Sequence, residues 1–245
     1  MPRFYCPLPL DAGRFLDLPE DVARHAVGAL RLRDGEALTL FNGDGGEYDG
    51  VLQIKGRRAA VQLGERHAVC RESPLAITLV QGISSGERMD LTIQKAVELG
   101  IAAIQPLVMR RTVARLAGEK LERRRAHWQA VAVAACEQCG RNLVPPIEPI
   151  LEFSAWQARP SSTTATELCL LLDPAAGRSL ADLDAPAGPV ILMAGPEGGF
   201  DPAERIAAGR IGFTAVRLGS RILRTETAAL AALAALQTLW GDLLK

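Results

Sequence analysis

Gly195-Pro196-Glu197-Gly198-Gly199-Phe200 follows directly on the apolar run Val190-Ile191-Leu192-Met193-Ala194. A little further on, Leu218-Gly219-Ser220-Arg221-Ile222-Leu223-Arg224-Thr225-Glu226-Thr227-Ala228 follows the strand-like Thr214-Ala215-Val216-Arg217. A strand that stops at a glycine turn leaves main-chain N–H and C=O groups open to a ligand, because glycine lets another chain approach closely. Two such turns at the carboxyl ends of strands form one crevice in an open α/β sheet, where ligands of that architecture bind.

The spacing narrows the ligand. The first loop reads G-P-E-G-G-F, which is neither the G-x-G-x-x-G of a dinucleotide fold nor a triphosphate loop ending in G-K-[ST]. Pro196 fixes one φ angle and removes a donor, so the remaining amides and carbonyls point in set directions. That suits an adenine edge or a ribose, not a pyrophosphate. A Rossmann-type nucleotide enzyme is further disfavoured by the lack of a clear ribose-binding acid after the first strand. In the second loop Thr225 reads as an N-cap and Glu226 as an acid that complements the helix dipole, which by itself describes only a good helix start. Arg221 and Arg224 in the same turn favour a ligand site.

Outward from these loops, strands and helices alternate. Strands are expected over 75–81, 103–106, 168–172, 190–194 and 214–217, and helices over 89–99, 121–139, 203–208 and 225–244, with one near Leu180. Such alternation makes an α/β fold with a mainly parallel sheet covered by helices. Glu72-Ser73-Pro74 marks the boundary, giving domains 1–72 and 73–245. The first carries a helix over 19–27 and strands over 37–42, 48–54 and 59–63, with Gly43-Asp44-Gly45-Gly46 as a turn. Short strands closing on few apolar residues suggest a small β-barrel, marginal by itself. Ser161-Ser162-Thr163-Thr164 reads as an exposed loop.

Composition excludes some classes. The 245 residues carry 28 Lys plus Arg against 28 Asp plus Glu, so no global charge announces a nucleic-acid partner. Arg3, Arg14, Arg24, Arg31, Arg33, Arg57, Arg58 and Arg66 nevertheless make the amino-terminal third locally basic, and arginine suits phosphate. Cys136-x-x-Cys139 lies in a helical pattern with no second pair, and the three histidines are scattered, so no metal is expected. The start of the chain has no apolar core of a leader, and the last helix's apolar stretch ends at Gln237-Thr238, short of the roughly 20 residues a membrane span needs. A cytoplasmic protein without membrane contact is expected. Trp128, Trp156 and Trp240 lie in helical patterns and read as packing residues.

The two loops, together with Gly86-Glu87-Arg88-Met89-Asp90, Gln94-Lys95-Ala96-Val97-Glu98-Leu99-Gly100 and Ala134-Ala135-Cys136-Glu137-Gln138-Cys139-Gly140-Arg141, resemble in order the motifs of the RsmE family. That family belongs to the SPOUT superfamily of knotted methyltransferases and makes 3-methyluridine in 16S ribosomal RNA. Arg3-Phe4-Tyr5 and Leu30-Arg31-Leu32-Arg33 also sit where the family has arginines. Met109-Arg110-Arg111-Thr112 departs from it, since a Glu-Arg-Ser-like stretch is expected there.

The resemblance implies a deep C-terminal trefoil knot in the larger domain and a PUA-like, RNA-gripping barrel in the smaller. It implies S-adenosylmethionine held by Leu171, Leu172, Gly195, Pro196, Glu197, Gly198, Leu218, Gly219, Ile222, Leu223, Arg224, Thr227 and Ala228. Arg3, Arg31, Arg33, Arg88, Lys95 and Arg141 would meet RNA, although Lys95 and Glu98 also have the spacing of an ordinary surface ion pair. The implied reaction methylates the N3 nitrogen of a uridine in 16S rRNA of the small ribosomal subunit. Arg221 would stabilise charge on the uracil, while Glu226 or Glu137 takes the proton. A homodimer is expected. The alternative is a noncatalytic RNA-binding assembly factor with the same fold.

Overall fold

The computed structural model describes residues 1–56, 58–113, 118–159 and 166–244; Arg57 and the loop expected at 161–164 lie outside the described residues. The chain forms two compact units, Met1–Glu72 with Val133–Val144, and Ser73–Ala132 with Pro145–Lys245.

The first unit carries strands β1 Arg3–Tyr5, β2 Phe15–Asp17, β3 Ala37–Phe41, β4 Glu47–Lys55 and β5 Arg58–His67. They form one sheet in the order β1-β3-β4-β5-β2. β1 lies parallel to β3, and the other pairs are antiparallel. Along β4 the buried Tyr48, Gly50 and Leu52 alternate with the exposed Asp49 and Val51, the two-residue period of a strand with one face on a core. Helix α1 Glu20–Ala23, continued by a wider π-type turn over Arg24–Ala29, brings Val22 and Ala26 onto that core of Phe4, Leu38, Leu40, Val61 and Leu63. Residues 133–144 join this unit through polar contacts. Glu137 accepts the Tyr5 N–H at 2.9 Å, and the Arg3 guanidinium pairs with Glu47 while donating to Asn142 Oδ1 at 2.8 Å and Gly140 O at 3.1 Å.

The second unit is built on strands β6 Ile77–Gly82, β7 Ala103–Val108, β8 Leu151–Glu152, β9 Leu168–Leu172, β10 Arg178–Ser179, β11 Val190–Ala194 and β12 Thr214–Arg217. Their order is β10-β12-β9-β11-β6-β7-β8, with every pairing among the described residues parallel. The helices are α2 Glu87–Glu98, α3 Glu119–Cys139, α4 Phe153–Gln157, α5 Pro202–Arg210 and α6 Thr225–Leu239. The end of α3 belongs to the first unit. α5 starts with a capping box: the Asp201 side chain accepts the Ala203 N–H, Glu204 reaches back to the Asp201 N–H, and Pro202 stands in the first turn.

Two elements are shorter than their sequence suggests. α6 stops at Leu239 instead of reaching residue 244: Trp240 leaves helical geometry at φ −133°, and Gln237 O accepts from the Gly241 N–H at 3.1 Å and the Leu243 N–H at 3.3 Å, which closes the helix end. The helix near Leu180 is a single 3-10 turn, Leu180–Asp182, held by Ser179 and Asp182. Trp128 is buried, with its ring N–H donating to Asp90 at 3.1 Å, and Trp156 packs on Phe153 and Phe213. Among the described residues no helix is long and apolar enough to cross a membrane.

Candidate cofactor pocket and active site

Because β9, β11 and β12 run parallel and side by side, their carboxyl ends open at one edge of the sheet. A cavity of about 350 Å³ lies there. The glycine loop supplies Gly195, Glu197, Gly198 and Phe200, the second loop Leu218, Arg221, Ile222 and Leu223, and α6 contributes Thr225 and Ala228. Leu172 and Asp173 close it at the end of β9, and Arg111 and Arg205 stand at its wall.

The glycines fall into two kinds. A Cβ on Gly198 would come 2.8 Å from Arg111 Cβ, which leaves no room for a side chain, and one on Gly195 would come 3.2 Å from the Phe200 ring, a tight contact. Gly219 is different. No protein atom lies within 4 Å of its Cβ direction, and its φ of +69° by itself favours glycine. Thr225 also departs from expectation. Arg224 is the N-cap of α6 and makes no side-chain cap bond, whereas the Thr225 hydroxyl donates to Gly195 O at 2.5 Å and ties helix to loop.

Glu197 is anchored by the Ser85 N–H at 2.6 Å, the Ser85 hydroxyl at 2.7 Å and Arg88 Nη1 at 3.2 Å. Burial pushes its pKa up, but these bonds outweigh burial and hold the carboxyl below the ordinary glutamate value. Its Oε2 is buried without a hydrogen bond. Arg221 is exposed on the cavity and makes no ion pair among the described residues. Ile222, 86% exposed, offers an apolar surface for a ligand to cover.

The cavity gathers Leu172, Gly195, Glu197, Gly198, Leu218, Arg221, Ile222, Leu223 and Ala228 of the residues expected at the site. Leu171 points into the core with Met193 and Phe213, as strand alternation demands beside Leu172. Pro196 is buried; Gly219, Arg224 and Thr227 are exposed but do not line the cavity. Glu226 is half-buried in the first turn of α6, with Oε2 lacking a hydrogen bond. Glu137 belongs to the first unit, where burial pushes its pKa up despite the Tyr5 N–H.

The arginines divide as well. Arg3 and Arg141 are committed inside the first unit, Arg141 being buried against Glu72 with Nε–Oε2 at 3.0 Å. Arg31 and Arg33 are exposed, and Arg31 holds a left-handed φ of +56°, the conformation that disfavours a side chain. Arg88 is held by Glu197, and Lys95 pairs with Glu98 at 2.8 Å. Burial pushes the Cys136 thiol up to about 12, which marks a packed cysteine.

Three charged cavity residues escaped sequence reasoning. Asp173 and Arg205 form an ion pair at 3.0 Å, and Arg111 donates to Gly198 O at 3.1 Å. The signal for Arg111 was the departure at Met109-Arg110-Arg111-Thr112. There Arg110 reaches Asp201 at 3.4 Å, and its N–H donates to Glu204 at 2.9 Å.

This geometry meets a consistent set of relatives. The family model of an RNA methyltransferase domain matches residues 71–237, and that of an RNA methyltransferase PUA domain matches residues 18–63. The chain is 32% identical to ribosomal RNA small subunit methyltransferase E of Buchnera aphidicola subsp. Schizaphis graminum, over 99% of this chain and 98% of that one. The chain belongs to the RsmE family. Its RsmE relative in Mycobacterium tuberculosis is 33% identical over 96% of this chain and 91% of that one. The structure of the RsmE protein of Neisseria gonorrhoeae bound to S-adenosyl methionine superposes with a TM-score of 0.91 and 43% identity, covering 99% of both chains. A putative methyltransferase of Legionella pneumophila in complex with the same cofactor gives 0.93 and 38%, covering 98% of both.

Proposed function

We propose that this chain is an S-adenosylmethionine-dependent rRNA methyltransferase that modifies the N3 nitrogen of a uridine in 16S rRNA of the small ribosomal subunit. The observation that carries the reading is the cavity at the ends of β9, β11 and β12. Its close-packed glycine loop and apolar Leu218, Ile222 and Leu223 fit the nucleoside of a sulfonium cofactor, and Arg221, without an ion pair among the described residues, is left for the substrate. Bound there, S-adenosylmethionine supplies an activated methyl group.

The chain's own residues do the rest. Gly195, Gly198, Leu172, Leu218, Ile222, Leu223 and Ala228 hold the cofactor, while Pro196 and Glu197 fix the loop, Gly219 turns the second loop, and Arg224 and Thr227 flank the site. Arg221 neutralises the negative charge that spreads to the uracil carbonyl oxygens as the N3 proton leaves. Glu226 accepts that proton directly or through water. N3 lies on the pairing edge, so the base reacts unpaired or flipped out. Arg111, beside Gly198, adds a second positive group at the mouth.

Domains 1–72 and 73–245 divide the labour, the first a PUA-like barrel that grips RNA, the second a SPOUT fold with a deep trefoil knot. Arg31 and Arg33, exposed and without an ion pair among the described residues, are the arginines freest to meet RNA; Arg88 and Lys95 on α2 would do so while paired with Glu197 and Glu98, and Arg3 and Arg141 brace their own unit. Exposed Leu239, Leu243 and Leu244 at the end of the chain support a homodimer. Such an enzyme works in the cytoplasm, where ribosomes are assembled.

Calorimetry with S-adenosylmethionine, NAD and ATP tests the pocket: only the first should bind. Binding of NAD or ATP in its place overturns the assignment. Cofactor binding without methyl transfer to 16S rRNA would instead favour the noncatalytic assembly factor.

A further inference from the structure

We propose that Gln81 is a positioning residue that clasps the two cofactor loops together, acting through Thr225. The proposal rests on the pocket being the S-adenosylmethionine site. Gln81 stands near the end of β6, paired in register with Ala194, the last residue before the glycine loop. Its side chain is fully buried. From there Nε2 donates to Thr225 Oγ1 at 3.0 Å and to Gly82 O at 2.9 Å, and lies 3.4 Å from Gly195 O. The Thr225 hydroxyl in turn donates to that same Gly195 carbonyl at 2.5 Å.

One carboxamide thereby joins β6, the glycine loop and the first residue of α6. The Gly195 carbonyl is engaged by protein donors, which fixes the peptide plane at the loop's start. Thr225, held at its hydroxyl, fixes where α6 begins, and so where Leu223 and Ala228 stand on the cavity wall. Next to the clasp, a Cβ on Gly82 would lie 2.5 Å from Pro196 N, so strand and loop meet with no side chain between them. A buried amide is retained at a desolvation cost, here with Oε1 lacking a hydrogen bond, and the directional bonds of Nε2 to both loops give it a use. Gln81 touches no cavity surface itself, so its effect on the cofactor is indirect.

The test compares Gln81→Leu, Thr225→Val, Thr225→Ser and the Gln81→Leu/Thr225→Val double variant, with S-adenosylmethionine binding and KM against kcat as readouts. Gln105→Leu is the control. Gln105 is buried on the adjacent β7, and its Nε2 donates to Pro106 O and Pro149 O, away from the loops. Gln81→Leu and Thr225→Val should each weaken binding by about tenfold, as loss of one buried hydrogen bond does. The double variant should be hardly worse than either single one, because both break the same clasp. Thr225→Ser, which keeps the hydroxyl, should bind nearly normally, and kcat at saturation should change far less than KM. Losses that multiply in the double variant, or an equal loss in Gln105→Leu, would overturn the proposal. If Gln81→Leu does not fold, the contrast of Thr225→Val with Thr225→Ser still decides it: equal binding by the two sinks the clasp. Failure of the wild-type protein to bind S-adenosylmethionine would strike the pocket assignment instead.

Discussion

A methyl group at position 82 has nowhere to go. It would sit 2.5 Å from the backbone nitrogen of Pro196, which cannot swing aside as a side-chain tip can. Gly82→Ala should therefore cost about 1–3 kcal/mol of overpacking and lose most cofactor affinity as the glycine loop is pushed off β6. Gly219→Ala meets open space and pays only for its φ of +69°, about 1–2 kcal/mol. Thermal melts with cofactor titration should rank Gly82→Ala as the worse for binding; the reverse order would mean that the second loop alone shapes the pocket. Arg221 is the residue for chemistry. Arg221→Ala should lower kcat by about a hundredfold with little change in cofactor affinity, as loss of one transition-state donor does. Weak cofactor binding with normal turnover at saturation would make Arg221 a binding residue.

At the scale of elements, the strands at 168–172, 190–194 and 214–217 were legible because each is a short apolar or β-branched run ended by a turn. The loops after the last two were legible for the same reason. The two-residue strands β8 and β10 were not, since two residues carry no period. β1 was missed as a strand because its parallel pairing with β3 joins residues far apart in sequence. Asp173 and Arg205 look like ordinary surface residues until the sheet order sets them beside the glycine loop. Thr225 was misread as a cap because a hydroxyl at a helix start has two possible partners, and sequence does not show the nearer carbonyl. The glycine loop also has a titratable anchor. Glu197 is held below its ordinary pKa, so the stability it contributes is present above the unfolded glutamate value and is lost as pH falls through the folded one. Melting temperature and cofactor affinity should both decline below about pH 4. Glu197→Gln should lower both at neutral pH and flatten that acid limb; an unchanged acid limb would remove Glu197 as the anchor.

For the whole molecule, sequence alternation conveyed the two-part plan, but not that residues 133–144 pack with the first unit. That membership depends on bonds from Arg3 and Tyr5 to a segment well over a hundred residues away, which no local pattern encodes. Leu239, Leu243 and Leu244 are exposed, and the proposed homodimer, if it covers them, should scatter light at twice the monomer mass. Leu243→Lys should shift it toward monomer, and a wild-type monomer at micromolar concentration would contradict the dimer. The central claim is the reaction itself. Small-subunit rRNA from cells lacking this protein should be incubated with the purified chain and methyl-labelled S-adenosylmethionine, and the label then mapped by nucleoside analysis. The account predicts label in 3-methyluridine at a single position of 16S rRNA, abolished by Gly82→Ala and strongly reduced by Arg221→Ala. Label in another nucleoside, or none with a cofactor-binding protein, would contradict it.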